Sequence, residues 1–453
     1  MKVHFIAIGG SAMHNLAIAL KLKGYDVSGS DDEIFEPAKG RLAKYGILPG
    51  KEGWDPALIT GDLDAVILGM HAKADNPELA AARSIGLKIF SYPEFLFEAS
   101  KNKKRIVIAG SHGKTTITSM ILHVMQKAGQ SIDYMVGAQL EGFEVMVRLS
   151  EDAEFIVLEG DEYLSSTLDP RPKFHLYCPH IALLSGIAWD HMNVFPTFEN
   201  YVLQFEKFIG LIEPGGKLIY CTADPVVTRI ARSTRRDIEL IPYGNMGYSL
   251  SNRKMSLICH DKLVPLQVFG RHNAQNIHGA WMVCRQMGIN DEIFLDAIST
   301  FSGASKRLQL FKQTSGTAVY KDFAHSPSKL KATIEAVKEL YPDRELVACL
   351  ELHTYSSLNK DFLPQYRGCM ASADKPVVYF SHHALALKRL PELNAEDIRD
   401  AFDDNRLVVF NDSAEMRKWL KDIDFRGKNL LLMSSGNFDG IDLEGLAAGI
   451  TSP

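Results

Sequence analysis

Six cysteines occur in this 453-residue sequence (Cys178, Cys221, Cys259, Cys284, Cys349 and Cys369), and no two form a Cys-x-x-Cys pair. Scattered thiols of this kind argue against a disulfide framework or a zinc site and fit a reduced, cytoplasmic protein. Long hydrophobic runs are also missing: none approaches the length that crosses a bilayer, so no membrane insertion is expected. The apolar stretch Val3–Ile8 stops at Gly9-Gly10 without a cleavage-type segment, and it reads as a first strand rather than a signal peptide. Neither sign of charge dominates. The net charge of −5 argues against a nucleic-acid coat or a binder of anionic membranes. Short-period repeats and low-complexity segments are absent. What remains is an ordinary globular composition, 46% hydrophobic and 23% charged, in a chain long enough for two to four domains.

The most informative segment is Gly110-Ser111-His112-Gly113-Lys114-Thr115-Thr116. It follows the apolar Arg105–Ala109, which predicts a buried strand, and precedes Ile117–Gln126, which predicts a helix with an apolar face. Strand, glycine turn, Lys-Thr and helix together make a phosphate cradle. Backbone N–H groups and the helix N-terminus face the anion, Lys114 adds a point charge, and Thr115 can reach a magnesium ion. The loop is a shortened form, because Ile108 stands where the common P-loop has its first glycine. A nucleoside triphosphate is the expected ligand.

Strand-like and helix-like pieces alternate along the chain, which implies α/β architecture with parallel sheets covered on both faces. Three parts are expected: residues 1–100, a Rossmann-like domain; residues 101–304, a central P-loop ATPase-type sheet; and residues 305–453, a second Rossmann-like domain. In the first part, Gly9-Gly10 permits close backbone approach to a diphosphate, and Asp31 stands about twenty residues on, where a ribose-binding carboxylate belongs. The fingerprint lacks its third glycine and a plain tight turn accounts for it equally well. The basic run Lys101-Asn-Lys-Lys-Arg105 reads as a solvated linker.

Ligands of open α/β sheets collect at the carboxyl ends of strands. The apolar run Phe155–Leu158 leads directly into Glu159-Gly-Asp161-Glu162, and Ile181–Leu184 is followed by Asp190-His191. A carboxylate beside a P-loop is the usual second ligand of the nucleotide's magnesium, and Glu159 takes that role. His191 can bind a second metal, with Asp190 behind it. Asn273 and Asn276 share one helical face and offer donor and acceptor together, which suits an adenine edge. Arg307 can reach phosphate, and Asp322, at a strand end before His325, can hold ribose hydroxyls.

Taken in order, these residues resemble the Mur ligase family, the ATP-dependent amide-forming enzymes of peptidoglycan metabolism. The resemblance covers nearly the whole chain: Gly-x-x-Gly-Lys-Thr-Thr, Glu-x-Asp-Glu at 159–162, Asp190-His191, His-Asn-x-x-Asn at 272–276, Arg307, and Asp-Phe-Ala-His at 322–325. It implies a three-domain cytoplasmic enzyme, monomer or weak dimer, that uses ATP and Mg2+ and whose third domain closes for catalysis. UDP-N-acetylmuramate would bind at Gly9, Gly10, Ser11, Ser30, Asp31 and His71. Its lactyl carboxylate would be activated as an acyl phosphate and captured by an amine. Lys114, Glu159, His191 and His325 would carry the chemistry, with Thr115, Glu159 and His191 as metal ligands. The nucleotide would contact residues 110–116, Asn273, Asn276, Arg307 and Asp322. Lys173–Pro179 and Met433–Ile441 are similar to the branch that attaches the tripeptide L-Ala-γ-D-Glu-meso-diaminopimelate in peptidoglycan recycling. His353-Thr-Tyr355 is similar to the branch that attaches L-alanine in biosynthesis; the resemblance favours the tripeptide branch, with the L-alanine branch as the alternative. Departures exist: Lys321 and Ser326 replace a usual Asp and His, Ala12 and Asn15 replace glycines, Lys306 replaces an Arg, and Gln309 a Glu. They keep a third reading open, a non-catalytic sensor of UDP-muramate or ATP.

Overall fold

The computed structural model describes residues 1–451 apart from residues 71, 141, 234, 260, 261, 305 and 306. The chain divides into two compact units. One comprises Met1–Ile187, Val202–Gly244 and Gly279–Ala297; the other comprises Ala188–Tyr201, Asn245–His278 and the chain from Ile298 onward.

The first unit holds two sheets. Strands β1 (Lys2–Ile6), β2 (Asp26–Ser30), β3 (Ala65–Leu68) and β4 (Ile89–Ser91) form a parallel sheet in the order β2-β1-β3-β4. The helices Ser11–Leu22 and Pro77–Ser84 serve as crossovers. Apolar residues of strands and crossover, among them Ile6, Val66, Leu68 and Leu79, close the core. The second sheet contains β5 (Lys104–Ala109), β6 (Asp133–Met135), β7 (Val147–Arg148), β8 (Phe155–Gly160), β9 (Ile181–Leu184), β10 (Lys217–Cys221) and β11 (Glu239–Tyr243). Its order is β11-β10-β9-β5-β8-β6-β7, and only the edge strand β7 runs antiparallel. Every residue of β8 and β9 is buried, as expected for strands covered on both faces. The first strand of this sheet, β5, lies between β8 and β9, so the loop after it opens at a topological switch point.

In the second unit, β12 (Tyr248–Ser251), β13 (Lys254–Cys259) and β14 (Lys262–Pro265) make an antiparallel meander. A six-stranded sheet follows, with β15 (Gln309–Gln313), β16 (Ala318–Asp322), β17 (Glu345–Leu352), β18 (Lys375–Phe380), β19 (Val408–Phe410) and β20 (Lys428–Met433). The order is β15-β16-β20-β17-β18-β19, parallel except for β15. Separate apolar cores cover its two faces, one around Leu330, Leu350 and Phe380 and the other around Val347, Tyr379 and Leu432.

Strand β2 extends through Gly29-Ser30, which places Ser30 within the sheet. The α/β expectation with parallel-dominated sheets holds, with two local differences. The meander was not expected, because its first turn uses Asn252 and Arg253 at φ of 51° and 59° without the glycine that normally announces a hairpin. The run 101–105 is solvated only in part, with Lys101, Asn102 and Lys104 exposed. Lys103 and Arg105 are buried: Lys103 pairs with Asp133 at 3.1 Å and Arg105 with Glu213 at 2.8 Å. These pairs fix β5, and with it the loop that follows.

Candidate active site

The loop after β5 is built as the sequence predicts. Gly110 has φ of 124°, and a Cβ there would lie 2.2 Å from the Ser185 hydroxyl and 3.0 Å from the Gly186 carbonyl, so only glycine fits. Ser111 N–H donates to that same carbonyl at 2.9 Å. The helix Lys114–Lys127 starts at Lys114, three residues earlier than its apolar pattern suggests. Its N-cap, Gly113, is left-handed (φ 81°) and contributes no side-chain cap, which leaves the first-turn N–H groups facing the loop.

Carboxylates surround the lysine. Lys114 Nζ lies 2.5 Å from Glu162 Oε2 and donates to Gly110 O at 2.8 Å. Burial opposes the charge on Lys114, but Glu162, Asp161 and Glu159 outweigh it and hold its pKa above the usual lysine value. Thr115 Oγ1 donates to Glu159 Oε1 at 2.7 Å, and Gly137 N–H donates to Glu159 Oε2 at 2.9 Å. Asp161 pairs with Lys173 at 2.6 Å. A hydroxyl and a carboxylate side by side are hard oxygen donors of the kind magnesium takes, and that ion needs only one or two protein ligands beside a phosphate. No group of three or more His, Cys, Asp or Glu forms a metal cage among the described residues.

At the N-terminal loop, Gly9 N–H donates to Asp31 Oδ2 at 2.7 Å, and a Cβ at Gly9 would come within 2.9 Å of that oxygen. Burial pushes the Asp31 carboxyl up to about 6 against the opposing Gly9 hydrogen bond. Gly9, Gly10 and Asp31 are thus brought together. Ser11 opens the helix Ser11–Leu22. Ser30 points elsewhere: its hydroxyl hydrogen-bonds to Glu78, beside buried His4. His71 lies outside the described residues.

In the second unit, Asp190 Oδ1 accepts the His191 N–H at 2.8 Å, and His191 is left-handed (φ 54°). Asp190 Oδ2 faces His325 Nε2 at 3.9 Å and Lys329 Nζ at 4.0 Å. Burial works against the Asp190 charge, yet His191, Lys329 and His325 hold its carboxyl below the usual range. His325 is pushed down to about 4 by burial, then by Lys329, with Asp190 opposing. Its Nδ1 contacts Phe323 O at 2.9 Å, so Nδ1 carries the proton of a neutral ring. The Arg307 guanidinium stacks on Phe323, with 4.9 Å to the ring centroid. Asp322 accepts backbone N–H groups from Leu308 (2.5 Å) and Ala324 (2.6 Å), so it anchors the turn that carries Arg307. Burial raises the Asp322 carboxyl, with Arg307 opposing. Asn273 and Asn276 occupy the first turns of the helix Arg271–Gln286, and the Asn273 amide donates to Phe269 O at 2.8 Å.

Three residues went unnoticed in the sequence. Glu162 was visible as the last acid of 159–162, yet nothing marked it as the partner of Lys114. Ser185, which walls the loop, carries no motif. Lys329 had a signal: a lysine in the first turn of the helix Pro327–Leu340 sits against the helix dipole.

Three family models match the chain in succession: "Mur ligase family, catalytic domain" over residues 2–104, "Mur ligase middle domain" over 108–284, and "Mur ligase, glutamate ligase domain" over 306–436. A UDP-N-acetylmuramate–L-alanine ligase of Caldicellulosiruptor bescii is 32% identical over 396 residues, which are 83% of each chain. The chain belongs to the Mur ligase family. A second relative of the same description, from Carboxydothermus hydrogenoformans, is 28% identical over 97% of this chain and 95% of its own. A crystal structure of a murein peptide ligase from Psychrobacter arcticus superposes with a TM-score of 0.67 over 100% of this chain and 99% of that one, at 24% identity. Mur ligases are ATP-dependent enzymes that form amide bonds, and the loop at 110–116 is the part of this one that fits a triphosphate. Among the described residues, no helix is long and apolar enough to cross a membrane.

Proposed function

We propose that this Mur ligase joins the lactyl carboxylate of UDP-N-acetylmuramate to the amine of L-alanine at the expense of ATP. The observation that carries the reading is the 32% identity to an L-alanine ligase over 83% of both chains, together with an intact Lys114–Thr115–Glu159 set. The sequence alone favoured the tripeptide as acceptor, and the sequence relatives favour the alternative. The tripeptide is kept as a second acceptor because Lys173–Pro179 and Met433–Ile441 are similar to the peptide-attaching branch.

In this reading, residues 1–100 hold the UDP-sugar, with Gly9 and Gly10 at the diphosphate and Asp31 at the ribose. Residues 101–304 hold ATP, and residues 305–453 hold the amine. Lys114 holds the β- and γ-phosphates with the backbone of residues 110–113, and Asn273 and Asn276 orient the adenine. Arg307 meets phosphate. Thr115 and Glu159 would hold one magnesium ion and His191 a second. Held by these residues, magnesium would supply neutralisation of phosphate charge and polarisation of the γ-phosphoryl group. A lactyl oxygen attacks the γ-phosphorus, the bond to ADP breaks, and an acyl phosphate forms. The amine then attacks the acyl carbon and phosphate departs. The protein contributes orientation and charge, which is most of what phosphoryl transfer needs.

The test supplies UDP-N-acetylmuramate, ATP and magnesium, with L-alanine or the tripeptide in separate reactions, and follows phosphate release. Release that depends on L-alanine is expected. Release that depends on the tripeptide alone selects the second acceptor. ATP and UDP-sugar binding without release for either amine would make the chain a sensor and end the proposal.

A further inference from the structure

The proposed reaction leaves one departure from the family pattern unexplained: Asn15, where a glycine is usual. Asn15 and its neighbour His14 lie one helical turn beyond the glycine loop, in the helix Ser11–Leu22, and both are buried. Each reaches back to a loop carbonyl. His14 Nδ1 is 2.9 Å from Gly10 O, and Asn15 Nδ2 donates to Ser11 O at 2.8 Å. Their remaining atoms serve residues around the edge strands β6 and β7. Asn15 Oδ1 accepts the Met146 N–H at 2.9 Å. His14 Nε2 accepts from Arg41 Nη1 at 3.2 Å; the same Nη1 donates to Gln139 Oε1 at 3.2 Å, and Nη2 donates to Glu144 O. A carbonyl only accepts and a guanidinium only donates, so the His14 ring is neutral with its proton on Nδ1. Burial, with help from Arg41 and against the Gly10 hydrogen bond, holds its pKa below the usual histidine value.

The far ends of both contacts meet at the nucleotide site. Gln139 stands two residues from Gly137, whose N–H donates to Glu159 Oε2 at 2.9 Å. Met146 O accepts the Val136 N–H at 2.9 Å, next to the same glycine. Glu159 Oε1 accepts from Thr115 Oγ1 at 2.7 Å. All of these residues belong to the first unit. Two hydrogen-bonded routes therefore run from Thr115 and Glu159 to the Gly10 and Ser11 carbonyls, one through Gln139, Arg41 and His14 and the other through Met146 and Asn15. A magnesium ion held by Thr115 and Glu159 would draw on the carboxylate that anchors both.

We propose that His14, Asn15 and Arg41 are positioning residues that couple the two substrate sites of the first unit: a nucleotide seated on residues 110–116 tightens the hold of Gly9–Ser11 on the diphosphate of the UDP-sugar, and the sugar tightens the hold on the nucleotide. This inference rests on the ligase reading above. A diphosphate is bound by N–H groups and repelled by carbonyl oxygens, so the side chains that pin Gly10 O and Ser11 O decide how well the loop is presented. A glycine at position 15 could make neither of the Asn15 contacts. The coupling acts equally in both directions, because linkage is reciprocal.

The test is binding calorimetry on the full chain with UDP-N-acetylmuramate, run with and without magnesium and a non-hydrolysable ATP analogue. The ratio of the two affinities is the coupling factor. In wild type the factor is expected to be about 10, inside the usual range for coupled sites. Arg41→Met cuts one route and should lower it to about 3, and Arg41→Met/Asn15→Ala cuts both and should bring it to about 1. Affinity without nucleotide should change little in Arg41→Met, because His14 keeps its bond to Gly10 O. Gln139→Ala, at an exposed side chain, should lower the factor as well, and it serves if the variant at buried Asn15 melts early. Amide exchange gives a readout that needs no metal: UDP-N-acetylmuramate alone should slow exchange at Gly137 and Met146 in wild type and leave Gly137 unchanged in the double variant. A wild-type factor of about 1, or a wild-type factor retained in both Arg41→Met and Gln139→Ala, would overturn the coupling. Failure of the wild type to bind UDP-N-acetylmuramate in either condition would instead sink the ligase reading.

Discussion

Two charged clusters of the molecule differ in their balance of charge. Around the loop after β5, the cations Lys114 and Lys173 face three carboxylates, Glu159, Asp161 and Glu162. In the second unit, the buried Asp190 has Lys329 at 4.0 Å and His325 at 3.9 Å, while Arg307 acts on both Asp322 and His325. The first cluster is short of positive charge, a setting that favours a further cation. The second sets two cations, Lys329 and Arg307, against two carboxylates, Asp190 and Asp322, around a neutral His325, and is balanced. Burial amplifies the imbalance of the first, since it is not bathed in water. The two kinds of surface are built on separate units.

The comparison breaks most visibly at Lys114. Lys114→Ala should lower product formation by about 1000-fold or more, as expected when the main phosphate contact is lost. The variant also takes the Lys114 ammonium away from buried Glu162, which costs about 3–5 kcal/mol. Thermal melting should therefore fall in Lys114→Ala and largely recover in Lys114→Met/Glu162→Gln, with activity absent in both. Normal melting of the single variant would show that the pair is not buried as described.

Three substitutions sharpen the contrast in the second unit. His191→Ala should raise the magnesium concentration needed for half-maximal turnover by roughly 10- to 100-fold, the range for disturbed metal sites. An unchanged magnesium titration would return His191 to a structural role. Lys329→Met should slow turnover by about tenfold, less than loss of a fully enclosed donor. It should also raise the His325 pKa from about 4, because Lys329 holds it down, whereas Asp190→Asn should lower it further. Ring chemical shifts of His325 report both directions. Wild-type His325 is neutral from pH 5 upward, so it contributes no inflection to the rate profile there.

How much of this could be read from residues alone follows from the range of the forces involved. Gly110, Gly113, Lys114 and the strand–helix bracket around them form one short-range unit, set by backbone sterics and period, and they were legible. So were the parallel sheets, because strands buried on both faces are continuously apolar. Edge structure was not: β15 and the β12–β14 meander alternate weakly, and the Asn252-Arg253 turn reaches positive φ without glycine. Long-range pairing was invisible for a different reason. Glu162 lies 48 residues from Lys114, and Asp190 lies 139 residues from Lys329, and no local pattern links them. Lys103 and Arg105 were misread because a charge run is ordinarily solvated, and their partners Asp133 and Glu213 are equally remote.

The smallest effect belongs to Asp31, and its two readouts run in opposite directions. The folded-state carboxyl is raised to about 6 by burial, whereas the unfolded group ionises near 3.8. Between those values the folded chain binds more protons than the unfolded one, so this residue's contribution to stability declines as pH rises from about 4 to about 6. Substrate binding should show the reverse. Ribose hydroxyls donating to the carboxylate favour its ionised form, so affinity for UDP-N-acetylmuramate should rise as pH climbs through about 6 and level off above 7. A downward shift of one unit in the bound state corresponds to about a tenfold gain. Asp31→Asn should flatten both curves, since its amide cannot titrate. Titration calorimetry across pH 5–7.5 and melting over the same range check the two signs. Affinity that is independent of pH in the wild type, with stability still declining, would leave Asp31 as a brace for the Gly9 N–H and remove it from the ribose.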